Sequence, residues 1–229
     1  MFDLVEAPTA VFESKNEEVS KIHDFYFGKS KIDYDTGEFY IVDVPVILIR
    51  RETFYNLWQE VFKALGKSAY AVMYNAGTVH GKEFFSNAKK WLSFTEMNTE
   101  AIREVMNFLC CENVAIGFGA IRIEIYNKEV VVINKRGFPI GLEIYERTIA
   151  NKDFVLDGEI KLKEGDVKMA AGVSFDAKGG DEMSPTADSY FLGYFAGFLS
   201  MLYKISKGKE VECVARGDKC CRFVYALQK

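Results

Sequence analysis

The amino-acid sequence predicts an α+β fold in which several helices pack against a mainly antiparallel sheet. Residues 51–65 place apolar side chains at the spacing of one helix face, and this stretch ends at Gly66. From Val114 the periodicity changes to β-favouring runs on both sides of the turn Asn127-Lys128, which predicts a hairpin. The chain of 229 residues is 49% hydrophobic, so it is long enough to bury one continuous core. We therefore expect one domain over residues 1–229.

The N-terminal part is predicted to be a hairpin extension over residues 1–41. The turn Asp35-Thr36-Gly37 separates Ile32-Asp33-Tyr34 from the β-favouring residues 39–42. Residues 44–49 follow, and their apolar character predicts a buried strand although they include a proline. The core of the domain is expected to begin after this extension.

Two further helices are expected before the central hairpin. Residues 68–91 favour a helix with an interruption near Gly77 and Gly81, because glycine weakens a helix interior. The next helix is expected to be capped around Asn98 or Thr99. Its apolar positions are Ile102, Val105, Met106, Leu109, Cys110 and Cys111.

The second half of the chain is expected to contain an insertion and a last long helix. Short β-favouring segments between glycines and charged turns predict a β-rich insertion at about residues 135–184. Ser184-Pro185 then combines an N-cap residue with a proline at the first helical position, and the helix is expected to continue to about Ile205. The core of the domain is accordingly assigned to about residues 42–134 and 185–229.

Charge, apolar runs and cysteine content restrict the functional classes. The net charge of −4 gives no general attraction to nucleic acid, so none is expected as a partner. The longest strongly apolar run, residues 190–203, is shorter than the ~20 residues of a membrane-spanning helix. An odd number of cysteines and a start unlike a targeting segment favour a reducing cytoplasm. The scarcity of glutamine hints at a heat-adapted source.

The familiar catalytic motifs are incomplete. Gly28-Lys29-Ser30 and Gly66-Lys67-Ser68 lack the earlier glycine of a phosphate-binding loop. Gly117-Phe118-Gly119 lacks the third glycine of a dinucleotide motif and leads into a strand. With His23 and His80 as the only histidines, few nucleophile–histidine pairs can form. We therefore assign no catalytic residues and expect a binding module rather than an enzyme.

The densest group of chemically active residues lies in residues 210–223, which contain three of the five cysteines. A glycine–aspartate turn signal between two β-favouring stretches predicts a second hairpin there. If its loop is residues 216–218, Cys213 and Cys221 lie directly opposite each other and their thiols share one face of the sheet.

Two thiolates this close form half of a tetrahedral site for a soft metal, and Glu210 or Glu212 could add a carboxylate. Zinc is the expected cofactor. Free buried thiols, a cross-strand disulfide and a vicinal Cys220-Cys221 pair without a role are the alternatives. Glu210 and Cys213 would share a face only if Glu210 precedes the strand or lies at a bulge, because side chains alternate along a strand.

The sequence also resembles the 4-vinyl reductase domain family over about residues 42–134 and 185–229. The motifs of its C-terminal part are Leu192-Gly193-Tyr194-Phe195-Ala196-Gly197, Glu210-x-x-Cys213 and Gly217-Asp218-x-x-Cys221-Arg222-Phe223. The upstream similarities are residues 44–50, Tyr74-x-x-Gly77 and Gly117-Phe118-Gly119.

This resemblance implies an α+β ligand-binding fold related to haem nitric-oxide sensors and to a vesicle-tethering scaffold, and a homodimer. In the similar sensor modules of aromatic-responsive bacterial transcription activators, the Glu-x-x-Cys and Gly-Asp-x-x-Cys residues bind zinc together with one further cysteine on the preceding helix. The matching position here is Asp188. The implied metal ligands are therefore Asp188, Glu210, Cys213 and Cys221.

The resemblance further implies an apolar ligand pocket, for which the candidate residues are Tyr74, Asn75, Trp91, Phe118 and Tyr126. The phenol sensors carry a histidine where this chain has Asn75, so phenol itself is not the expected ligand. We expect a stand-alone sensor or carrier domain for a small hydrophobic or aromatic molecule, acting through a separate signalling or enzyme partner. The alternatives are a vinyl-tetrapyrrole reductase, or an accessory factor to one, and a dimeric scaffold protein.

Overall fold

A computed structural model describes residues 7–150 and 187–228 of the chain. In chain order, the elements are β1 (Ala10–Glu13), α1 (Asn16–Gly28), β2 (Ser30–Ile32), β3 (Phe39–Ile41), β4 (Val44–Val46), α2 (Arg51–Leu65), α3 (Ser68–Trp91), α4 (Thr99–Ala115), β5 (Ile121–Ile125), β6 (Glu129–Asn134), α5 (Pro139–Ala150), α6 (Ser189–Leu199), β7 (Lys209–Glu212) and β8 (Cys221–Ala226), with a short 3₁₀ turn at Val214–Arg216 before β8.

The main sheet has five antiparallel strands in the order β1-β5-β6-β8-β7. The predicted central hairpin is confirmed: β5 and β6 pair from Ile125 opposite Val130 to Ile121 opposite Asn134. On its other edge β6 pairs with β8, where Asn134 lies opposite Cys221. Helices pack against this sheet, so the predicted α+β class is confirmed.

The N-terminal part contains more than the predicted hairpin. The hairpin itself is present, because β2 pairs with β3 and the Asp33 carboxylate accepts hydrogen bonds from the Asp35 and Thr36 N–H groups at 2.9 and 3.2 Å. In addition, β1 joins the edge of the main sheet and α1 packs against α4. The helix α1 was not predicted, since Tyr26 is its one buried residue.

The strand predicted at residues 44–49 is shorter and less buried than expected. It ends at Val46, and the following Ile47, Leu48 and Ile49 are 90%, 72% and 51% exposed. The strand β4 lies at the edge of a small sheet in the order β2-β3-β4. Proline has no N–H to donate, so Pro45 is compatible with an edge strand but not with a buried central one.

Two of the predicted helices match their signals closely. The helix α2 covers Arg51–Leu65 and buries Tyr55, Trp58 and Phe62. The helix α4 begins after Asn98, whose side chain accepts a hydrogen bond from the Ala101 N–H at 2.9 Å. The Asn98 side chain caps a backbone N–H that has no partner within the helix. Because this interaction involves only residues near the start of α4, the local sequence predicted the boundary correctly.

The interruption predicted in α3 is wrong, because α3 runs unbroken from Ser68 to Trp91. Its glycines serve a tertiary contact instead. A methyl group on Gly77 or Gly81 would lie 1.9 Å from a backbone oxygen of α6, and one on Gly193 or Gly197 would lie 2.0 or 2.1 Å from a backbone oxygen of α3. The two helices therefore pack backbone against backbone, which any Cβ at these positions would prevent.

The predicted β-rich insertion is wrong where it is described, since residues Pro139–Ala150 form the helix α5. A proline at the first helical position, followed by the buried Ile140 and Ile144 four residues apart, gives the local reason. Residues 151–184 of the insertion lie outside the described residues.

The last helix is shorter than predicted. The helix α6 covers Ser189–Leu199 rather than ending near Ile205, and the predicted start at Ser184-Pro185 lies outside the described residues. After Leu199, the N–H groups of Leu202 and Tyr203 both turn back to its carbonyl, at 3.0 and 2.8 Å. Ile205 then bridges to Leu227, so the chain has already returned toward the sheet at the predicted helix end.

Aromatic stacking joins the helices to the sheet. The Phe138 ring, just before α5, stacks on Phe223 of β8 at 4.8 Å and on Phe191 of α6 at 5.0 Å between ring centroids. All three side chains are fully buried. Across the two described stretches, 7–150 and 187–228, no helix has both the length and the apolar character needed to cross a membrane.

Substitution of Gly81 by alanine should destabilise the protein by about 3 kcal/mol, because the added methyl group must push the α6 backbone away from α3. Urea unfolding measures the change. The matched control is Gly28→Ala at the end of α1, where an added Cβ would meet nothing within 4 Å. Equal unfolding free energies for the two variants would contradict the close packing of α3 and α6.

Candidate functional site

The C-terminal hairpin is irregular at the point where the predicted metal ligands lie. Glu210 pairs with Phe223, but Glu212 pairs with Arg222, so one extra residue is inserted on β7. A bulge of this kind breaks the alternation of side chains. It turns the Glu210 side chain fully inward, on the same side as the buried Cys213.

The loop between the two cysteines is longer than predicted. It includes the 3₁₀ turn, and Gly217 follows in the left-handed region with φ of +89°. The Asp218 carboxylate accepts a hydrogen bond from the Cys213 N–H at 2.7 Å and so closes the loop. Cys213 therefore lies beyond the paired part of β7, yet its Sγ atom is 3.8 Å from the Sγ atom of Cys221.

Asp188 meets these thiols from the start of α6. One of its carboxylate oxygens, Oδ2, lies 3.6 Å from the Cys221 Sγ atom and 3.9 Å from the Cys213 Sγ atom. With Glu210, these residues form the four-residue cluster Asp188, Glu210, Cys213 and Cys221, in which one potential ligand atom from each residue lies within 4.8 Å of all the others. Three separate chain segments thus converge on one buried point.

The cluster is covered by the first turn of α5. The Gly141 N–H donates a hydrogen bond to Asp188 Oδ1 at 3.1 Å. A Cβ on residue 141 would lie 2.5 Å from Asp188 Oδ2 and 3.3 Å from the Cys213 Sγ atom, so glycine is required for this approach. Asp188 therefore uses one oxygen toward the thiols and the other toward α5.

Burial makes negative charge expensive in the cluster. It raises the pKa of Asp188 to about 7. It raises the pKa of Glu210 to about 8, and the charge of Asp188 adds to this effect. The hydrogen-bonded neighbour Cys221, followed by burial, raises the pKa of the Cys213 thiol. The Arg216 guanidinium, 3.4 Å from Glu210, offsets part of this charge.

A divalent cation fits this arrangement of donors. The Glu210 Oε1 atom is buried without a hydrogen-bond partner, and a bound cation would satisfy it. Two sulfur and two oxygen donors also match the tetrahedral preference of zinc. A bound cation would favour the charged forms of the two carboxyls, whose pKa values burial raises.

The remaining cysteines lie elsewhere. All five cysteines are free thiols, so the disulfide alternative is not formed. Cys220 points away from the cluster and lies 3.1 Å from Glu212, which also accepts a hydrogen bond from Arg222 at 2.7 Å. Cys110 and Cys111 are buried in α4.

The five predicted pocket residues do not meet in one place. Tyr74 and Trp91 lie on the same helix, roughly 25 Å apart along its axis at 1.5 Å per residue. Asn75 is exposed. Phe118 packs edge-on against Phe191 at 5.0 Å, whereas the Tyr126 hydroxyl binds Glu124. The resemblance alone linked these five positions, and they stay a prediction.

A second group of buried polar side chains was missed. Glu112 and Asn113 lie near the end of α4, and both are buried. The Asn113 amide donates to the Leu109 carbonyl at 2.9 Å and to Glu112 at 3.3 Å, while its Oδ1 atom has no partner. The periodicity of Val105 and Leu109 places Glu112 on the inward face, which was the available signal.

Aromatic rings surround this polar pair. Tyr26 packs edge-on against Trp91 at 5.6 Å and Phe108 at 6.3 Å. Burial raises the pKa values of Tyr26 and Tyr194, and the nearby charge of Glu112 adds to both shifts. Trp91 is the predicted pocket residue that joins this aromatic group, through Tyr26, while its indole N–H binds Asp43 at 3.2 Å.

Comparisons with known proteins support the fold. No family model matches the chain, and no curated protein does either. Among solved structures, the chain is similar to the phenol-responsive sensory domain of the transcription activator PoxR with phenol, at a TM-score of 0.58 and 15% identity, over 92% of this chain and 89% of that chain. This likeness shows a shared fold. Membership in the 4-vinyl reductase family stays a prediction.

The stability of the protein should depend on pH through Glu112. Burial raises the pKa of Glu112 from 4.5 to about 8, so the folded state keeps a proton that the unfolded state loses as the pH rises above about 4.5. The contribution of Glu112 to stability should therefore be complete below that pH. It should fall by up to about 1.4 kcal/mol per pH unit and level off above pH 8.

The Glu112→Gln variant has no carboxyl group to titrate at this position. Its free energy of unfolding, relative to that of the wild type, should therefore increase from pH 5 to pH 8. Denaturant unfolding at several pH values measures it. The control is Glu104→Gln, an exposed carboxylate on the same helix. Parallel pH curves for the wild type and Glu112→Gln would contradict a buried, neutral Glu112.

Proposed function

We propose that this chain is a sensor or carrier domain for a small aromatic molecule, and that a structural zinc ion fastens its C-terminal hairpin. The observation that carries the metal part is the convergence of Asp188, Glu210, Cys213 and Cys221 at one buried point. The four residue types and the short distances between their potential ligand atoms favour a metal ion over simple core packing. Buried carboxylates are costly unless they are paired with positive charge or bind a metal.

Zinc is the metal that suits these four residues best. Calcium and magnesium prefer oxygen ligands alone, and iron–sulfur clusters take thiolates as their usual ligands. A site with two thiolates and two carboxylates fills all four tetrahedral positions with protein atoms. Such a closed site supports a structural role. The ion would supply positive charge that joins the start of α6 to both strands of the hairpin.

The ligand part of the proposal is supported by the fold and by the aromatic surroundings of Glu112. The similar PoxR domain is described as phenol-responsive. In this chain, the rings of Trp91, Tyr26 and Phe108 pack against one another, and the Asn113 Oδ1 atom has no hydrogen-bond partner. Aromatic faces with a few polar atoms are typical of small-molecule sites. We infer that the ligand is an aromatic compound with a hydroxyl or amino group.

Protein purified without added metal should contain about one equivalent of zinc by elemental analysis. The Cys221→Ser variant should lose most of it, because a thiolate ligand is replaced by a weaker alcohol. The matched control is Cys220→Ser, which removes the adjacent thiol that faces Glu212 instead of the cluster. Less than about a tenth of an equivalent in the wild type would contradict the metal site.

An aromatic alcohol or amine should raise the melting temperature by roughly 5 to 10 °C at a hundredfold excess over its dissociation constant. The corresponding hydrocarbon without the polar group should give a much smaller shift, since it leaves Asn113 unpaired. Native mass spectrometry should show one bound molecule. Binding of a tetrapyrrole instead would favour the reductase alternative, and a dimer without any ligand would favour the scaffold alternative.

A further inference from the structure

Two polar contacts of the helix α5 lie at separate points and add to the burial of its Ile140 and Ile144. At its start, the Gly141 N–H binds Asp188 of the four-residue cluster at 3.1 Å. About one turn further on, Glu143 and Glu146 both bind Arg51, the first residue of α2. The Arg51 Nε atom is 2.9 Å from Glu143, whose side chain is 11% exposed. An ion pair this sheltered is screened less than a surface pair.

Asp188 links the cluster and α5 through a single carboxylate. Its Oδ2 atom faces the thiols of Cys213 and Cys221, and its Oδ1 atom accepts from Gly141. A metal ion held by Oδ2 therefore also fixes the direction of Oδ1. Without the ion, contact with water would stabilise the buried carboxyls and thiols. The first turn of α5 covers them, so its displacement admits water.

We propose that metal binding by the cluster and docking of α5 are thermodynamically coupled, so that Arg51 controls metal affinity without touching a metal ligand. This inference rests on the zinc site proposed above. Coupling of this kind is reciprocal: an ion that favours the docked helix is bound more weakly when docking is weakened. The path from α2 through α5 to Asp188 thereby connects the Arg51 ion pairs with the buried cluster.

The test is the zinc affinity of the full-length chain, measured by competition with a chromophoric chelator. Arg51→Ala should raise the dissociation constant for zinc by about fivefold or more, the range of typical allosteric coupling. The matched control is Lys63→Ala, which removes a cation of the same helix that pairs with Glu60. This variant should leave the affinity unchanged. Equal affinities for Arg51→Ala and the wild type would overturn the coupling.

Hydrogen exchange gives a second readout that needs no substitution. Zinc added to metal-free wild type should slow amide exchange in Pro139–Ala150 about tenfold, while exchange in the central turns of α4 stays unchanged. If zinc binds and α5 exchange does not change, the coupling is wrong and the zinc site stands. If zinc does not bind at all, the competition assay shows it directly, and both the site and the coupling are wrong.

Discussion

The backbone contact between α3 and α6 is the constraint on which the rest of the structure depends. Four glycines, two on each helix, allow carbonyl oxygens to approach positions that a Cβ would occupy. The helix α6 is buried along its whole length and sits between α3 and the sheet, where the Tyr225 hydroxyl binds its Leu192 carbonyl at 2.8 Å. Because Asp188 immediately precedes α6, the same contact fixes where this carboxylate lies.

The four-residue cluster lies where the start of α6 meets the hairpin of β7 and β8. Asp188 comes from the start of α6, Glu210 and Cys213 from the end region of β7, and Cys221 from β8. The burial that raises the pKa values of its carboxyls opposes the metal-free charged state. A cation that neutralises these groups would turn this unfavourable arrangement into a link between three segments. A bound metal would offset the free-energy cost of burying these groups together.

Local signals were sufficient for several features of this fold. The cap at Asn98, the helix α2 and the hairpin around Asn127-Lys128 depend on residues close in sequence, and all three were predicted. The spacing of Cys213 and Cys221 likewise brought two thiols together, because a hairpin is local. A bulge at Glu210 was stated only as one way in which Glu210 and Cys213 could share a face. Its presence was not predicted, because it depends on how β7 pairs with β8.

Features that depend on distant contacts were missed. Gly77 and Gly81 suggested a weakened helix, whereas α6 supplies the reason for both glycines. The distance between the pocket candidates Tyr74 and Trp91 likewise follows from the length of an unbroken α3.

The most direct measurement is zinc-edge X-ray absorption on protein purified without added metal. Two sulfur neighbours at about 2.3 Å and two oxygen neighbours at about 2.0 to 2.2 Å are expected. A spectrum with oxygen and nitrogen neighbours alone, or no zinc signal, would contradict the four-residue site.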